Sequence, residues 1–211
     1  MKILLEPILV SIVAGLFIFA IPNKFRKLAE IFSLITALYL FIASLKIFFA
    51  APLNAGYLYV DNLSRFIVPG IGFFGLLVTL YSLKSMSEYK SVSNYYAYII
   101  WTIGISILAA VSNNIIILLG SWGFLGFTLY ALINIKGPEA SAISKKTFII
   151  VAGSDAFMIL GFGILWIIKG SLNLTDIRVP IDSSLSFWSF FLIAIGAFAK
   201  AGVMPFHTWI P

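Results

Sequence analysis

Seven stretches of this chain are each apolar for close to the length that a helix needs to cross a hydrocarbon core about 30 Å thick. They cover approximately residues 4–21, 28–50, 66–83, 95–111, 115–135, 147–168 and 185–203. Only 10% of residues are charged while 61% are hydrophobic, against roughly 25% charged in soluble domains. The reading is an all-α, polytopic transmembrane helix bundle of seven spans. Lys2 ahead of the first apolar run superficially resembles a secretion signal, but six further spans argue for a retained first helix.

The formal charge of +6 does not mark a nucleic-acid surface, because the basic residues sit in short connections, where they set topology. The first, third and fifth connections carry Lys24, Arg26, Lys27, Lys84, Lys90, Lys136, Lys145 and Lys146; the second, fourth and sixth carry Arg65, Lys169 and Arg178. Eight against three predicts a multi-pass protein of the cytoplasmic or inner membrane, with the N-terminus outside. The absence of cysteine removes thiolate metal sites and cysteine nucleophiles together. There is no Gly-rich phosphate loop and no set of His and carboxylates spaced as metal ligands. No catalytic, cofactor or metal site is expected on this chain.

A few polar residues stand in or beside the spans. Lys200 lies in the last apolar run, AFAKAGVMPFHTWIP, followed by Pro205 and by His207, the single histidine. Proline lacks the amide hydrogen that would continue a helix, so a structural break is expected at Pro205. A lysine at mid-membrane marks an ion path, whereas one at the surface snorkels outward as a cap; composition leaves both open. Asp155 in the sixth span has either an ion-chain role or a structural hydrogen bond between helices. Glu6 before Pro7 reads as a helix cap, Asp61 and Ser64 as caps of the third helix, and Lys46 as a snorkelling lysine. Tyr57 and Tyr59 fit an interfacial aromatic belt. Ser112, Asn113 and Asn114 form a tight polar connection between the fourth and fifth spans.

AKAGVMPFHTWIP, VDNLSRFIVPGIGFFGLLVTLYS, NNIIILLGSWGFLGFTLYALI and AISKKTFIIVAGSDAFMILG together resemble the antiporter-like membrane subunits shared by respiratory complex I, Mrp-type cation/proton antiporters and energy-converting membrane hydrogenases. The resemblance covers the N-terminal half of such subunits. It implies that Lys200 is the mid-membrane lysine that holds and releases the translocated proton, with His207 on the proton path and Asp155 as the sixth-helix aspartate. It also implies a discontinuous last helix and an incomplete inverted-repeat architecture, with residues 1–94 as three leading helices and 95–211 as the first part of the repeat. The family normally carries a glutamate after the tryptophan of its fifth helix; here Gly123 follows Trp122.

The expected function is proton or sodium translocation in a membrane arm coupled to a redox complex of the NADH/quinone oxidoreductase or membrane-bound hydrogenase type. The alternatives are part of an Mrp-type antiporter, or a degenerate, non-translocating scaffold subunit. Iron-sulfur or nickel centres would then sit on partner subunits. Expected partners are lipid and other membrane subunits, including a chain that completes the broken helix and the second repeat.

Overall fold

The computed structural model describes residues 1–86, 89 and 91–210; Lys90 and Pro211, which enter the readings above, lie outside the described residues. Among the described residues, seven helices are long and apolar enough to cross a membrane, as the sequence predicts. Their outward faces carry large apolar side chains such as Phe66, Tyr81 and Ile149, the surface that lipid solvates. The chain is an all-α, multi-pass membrane protein divided into two compact units, Met1–Ser112 and Asn113–Pro211.

The first unit holds α1 (Lys2–Ala20), α2 (Arg26–Phe49), α3 (Asn62–Ser85) and α4 (Val92–Ala110). α4 packs against the three helices that precede it. Small residues bring the backbones together: a Cβ at Gly15 would collide with Trp101, and one at Gly104 with Ser11, the approach that membrane helices use where lipid offers no hydrophobic drive. The Trp101 indole donates to the Ile12 carbonyl at 3.2 Å, so the bulky partner is also satisfied.

Asp61 caps α3 as expected, its carboxylate accepting from the Ser64 amide at 2.7 Å and the Ser64 hydroxyl at 2.8 Å. These bonds hold its carboxyl below the usual carboxylate value. Glu6 differs from expectation. α1 already begins at Lys2, so Glu6 and Pro7 lie inside it, and the Glu6 carboxylate accepts from the Tyr39 hydroxyl of α2 at 2.9 Å. A small hairpin not evident from the sequence joins α2 to α3: β1 (Leu53–Asn54) pairs antiparallel with β2 (Tyr59–Val60). Its turn uses Gly56 at φ 75, whose amide donates to the Asn54 side chain.

The second unit holds α5 (Ile115–Asn134), α6 (Pro138–Lys169) and α7 (Ser184–Ala201). Of the polar connection, Asn114 caps α5 through the Ile116 amide at 2.9 Å, and the Asn113 side chain accepts from the Thr175 amide at 3.0 Å. α6 begins nine residues before the predicted 147, at Pro138, after Gly137 at φ 85. Proline at the first helical position loses no bond, and its fixed φ starts the helix; polar Ser141, Lys145 and Lys146 then extend it beyond the apolar stretch. α7 opens on a reciprocal capping box between Ser183 and Ser186. It packs along α6 where Gly161 and Gly196 admit close approach and the Ser189 hydroxyl donates to the Gly161 carbonyl at 2.8 Å.

Candidate ion-transfer site

The depth of the charged groups follows from helix rise. On α6, Asp155 stands ten residues from Lys145 and fourteen from Lys169, about 15 Å and 21 Å along the axis. With lysines marking the two ends, Asp155 lies deep within a core about 30 Å thick. α7 runs beside α6 and brings Lys200 to it, the Lys200 Nζ standing 3.8 Å from Asp155 Oδ2. Both side chains are largely buried, at 15% and 14% exposure. Lys200 therefore occupies the end of its helix without being at the end of the bundle: α7 stops at mid-depth.

The stop comes from Gly202, not from Pro205. Gly202 adopts φ 67, ψ 27, a left-handed conformation that a Cβ disfavours. The Val203 amide returns to the Phe198 carbonyl at 3.0 Å, the six-to-one bond that closes a helix end. Pro205 follows, as the residue before a short 3-10 turn, Phe206–Trp209. That turn satisfies the freed backbone: the Trp209 indole donates to the Ala199 carbonyl at 2.8 Å, and the Trp209 carbonyl accepts from the Thr147 hydroxyl at 3.2 Å. Non-helical backbone inside a membrane persists only with such partners.

α5 completes the site through Trp122, whose importance the sequence reading did not identify. Its indole donates to Asp155 Oδ1 at 2.9 Å, its ring lies under the Lys200 ammonium at 4.5 Å to the centroid, and its carbonyl accepts from Lys200 Nζ. One turn on, Gly126 leaves room: a Cβ there would stand 3.7 Å from Asp155 Oδ2 and 3.9 Å from Lys200 Nζ. Tryptophan and glycine four apart put both on one helix face, a signal legible in SWGFLGF once the partner is known. Gly123 is exposed, with nothing within 4 Å of the place of a Cβ. In this chain the lysine's anionic neighbour is thus Asp155, on the sixth helix.

His207 is not joined to this pair. It lies on the short turn, exposed, with no side-chain hydrogen bond or ion pair among the described residues. Among the described residues there is also no group of three or more His, Cys, Asp or Glu able to hold a metal ion.

Residues 112–211 match the family described as NADH:quinone oxidoreductase/Mrp antiporter, transmembrane region. The Na(+)/H(+) antiporter subunit A1 of Staphylococcus haemolyticus is 29% identical over 160 residues, covering 73% of this chain and 20% of that protein. The chain thus spans about one fifth of the length of the curated relatives it matches. Among solved structures, the fold is similar to a chain of the Mrp complex from Dietzia, with a TM-score of 0.85 at 20% identity over 99% of this chain and 25% of that one. It is similar also to a chain of respiratory complex I from Thermus thermophilus, with a TM-score of 0.79 at 21% identity over 98% of this chain and 45% of that one. The segment matched by the family model, residues 112–211, contains Trp122, Asp155 and Lys200, and over it the chain is similar to the antiporter-like membrane subunits.

Proposed function

We propose that the second unit carries an ion-transfer site in which Lys200, paired with Asp155, takes up and hands on the transported proton. The observation that carries this reading is the 3.8 Å pair deep within the helices. An ion pair in lipid is costly to build and is retained where charge must move. The geometry supplies what a transfer group needs. An opposite charge and a ring face favour the ammonium, while burial disfavours it, so a modest change in water or neighbouring charge tips the balance. We place His207 on the approach to the site and not within it, since it stands exposed beyond the helix break.

The relatives by sequence are named as Na(+)/H(+) antiporter subunits, which favours an Mrp-type cation/proton antiporter as the setting. The fold likeness to respiratory complex I supports a second setting, a membrane arm driven by redox chemistry with quinone or hydrogenase-type partners. In that setting the iron-sulfur or nickel centres belong to partner subunits and this chain carries none. In either setting the chain works among other membrane subunits, in the cytoplasmic or inner membrane, with its N-terminus outside as the lysine and arginine count indicates.

Replacing Lys200 by Ala tests the site. In vesicles reconstituted with the copurifying subunits, proton movement should fall about 10²-fold, the scale of losing a positioned proton-transfer group. Unchanged transport would make the chain a scaffold. Metal centres in the purified assembly would assign the redox setting, and a metal-free assembly that exchanges sodium for protons would assign the antiporter setting.

A further inference from the structure

We propose that an open cavity on the second unit binds an anionic phospholipid, with the headgroup phosphate on Lys145 and an acyl chain among the aromatic residues beneath it. The cavity measures about 350 Å³ and is lined by Phe127 and Tyr130 of α5 and by Lys145, Phe148 and Ile149 of α6. That volume falls in the range of small-molecule sites, roughly 300–1,000 Å³. Lys145, Phe148 and Ile149 are spaced as i, i+3 and i+4, and Phe127 and Tyr130 as i and i+3, so each helix presents one continuous face to the cavity. The Tyr130 and Phe148 rings, both in its lining, meet at 5.3 Å.

The polarity runs in the direction a lipid requires. Lys145 lies about 15 Å along α6 from mid-membrane Asp155, which puts its amine at headgroup depth, while Phe148 and Ile149 follow it one turn deeper. Lys145 is exposed and forms no ion pair among the described residues. Lys136 and Lys146, both exposed, stand at the same end of α5 and α6 and add to the positive potential. A zwitterionic headgroup would bring its own cation into that field, so the site selects net negative charge. An apolar slot with one amine at its rim fits a chain-bearing phosphate better than a soluble anion, which would leave the aromatic walls wet.

The test uses the full chain in vesicles of equal parts phosphatidylglycerol and phosphatidylcholine, followed by native mass spectrometry of the lipid it retains. Phosphatidylglycerol should be enriched about fivefold over the bulk ratio, the scale of one lysine at an anionic surface. Lys145→Gln should return the ratio to bulk, and Lys146→Gln should leave the enrichment in place. Both lysines are exposed, so neither substitution removes packing, and unchanged thermal unfolding checks this. Absence of enrichment, persistence of it in Lys145→Gln, or equal loss in both variants would overturn the assignment, the last by showing diffuse attraction instead of a site.

Discussion

Among the described residues, the Arg26–Glu30 pair of the first unit and the Lys200–Asp155 pair of the second are built in opposite ways. Arg26 and Glu30 are four residues apart on one helix, 3.1 Å from each other, with side chains 35% and 18% exposed. Lys200 and Asp155 come from different helices, are more buried, and need Trp122 from a third to complete their bonding. The first pair forms wherever α2 forms. The second exists only if α5, α6 and α7 are assembled. Elsewhere in the first unit, the hydroxyls of Ser11, Ser33, Thr36, Ser44, Thr79 and Ser82 each donate to a carbonyl three or four residues back. A local pair is a detail of one helix, whereas a pair spread over three helices reports a site.

The contrast can be broken by removing one anion from each pair. Asp155→Asn keeps the shape but leaves Lys200 without an opposite charge, and breaking a buried pair on one side is the costly case. Ion transport by the reconstituted assembly should fall about tenfold or more, equivalent to roughly 1.4 kcal/mol of lost pairing. Removing the Asp61 cap should act on stability alone. Asp61→Ala should destabilise the detergent-solubilised chain by about 1 kcal/mol, read as a lower midpoint of thermal unfolding. Because the Asp61 carboxyl is held below its unfolded value by Ser64, its contribution is fully present above the unfolded carboxylate pKa of about 4. It is lost as pH falls through the folded value. The difference between wild type and Asp61→Ala should therefore shrink on acidification. The smallest effect is expected at the local pair: Glu30→Gln should change the unfolding midpoint by no more than about 0.5 kcal/mol equivalent, as for other helix-surface pairs. Loss of transport in Glu30→Gln on the scale of Asp155→Asn would erase the distinction.

Much of the architecture was legible because lipid permits so few solutions. Twenty apolar residues in lipid imply a helix, and all seven are found. The Asp61 cap was legible because its partner Ser64 lies three residues on. What failed depended on partners distant in sequence or on conformation that outweighs composition. Glu6 reads as a cap from sequence because Tyr39, whose hydroxyl donates to its carboxylate, is thirty-three residues away. The polar first turns of α6 were missed because apolarity, not propensity, set the predicted boundary. Pro205 drew attention as a helix breaker, yet glycine three residues earlier ends the helix, since a left-handed residue closes off carbonyls before proline's missing amide matters. Lys200 and Asp155 were both singled out as charges out of place. Their joining through Trp122 was not, because an indole in an apolar run looks like any other large side chain until the groups beside it are known.

The central claim is that Lys200 must exchange a proton and not merely carry a charge, and Lys200→Arg separates the two. Arginine keeps the positive charge beside Asp155 but does not release its proton at physiological pH. Proton uptake by vesicles containing the reconstituted assembly should fall about 10²-fold while the variant chain assembles and unfolds like wild type. Uptake at the wild-type rate would show that a fixed cation suffices, and would contradict the account.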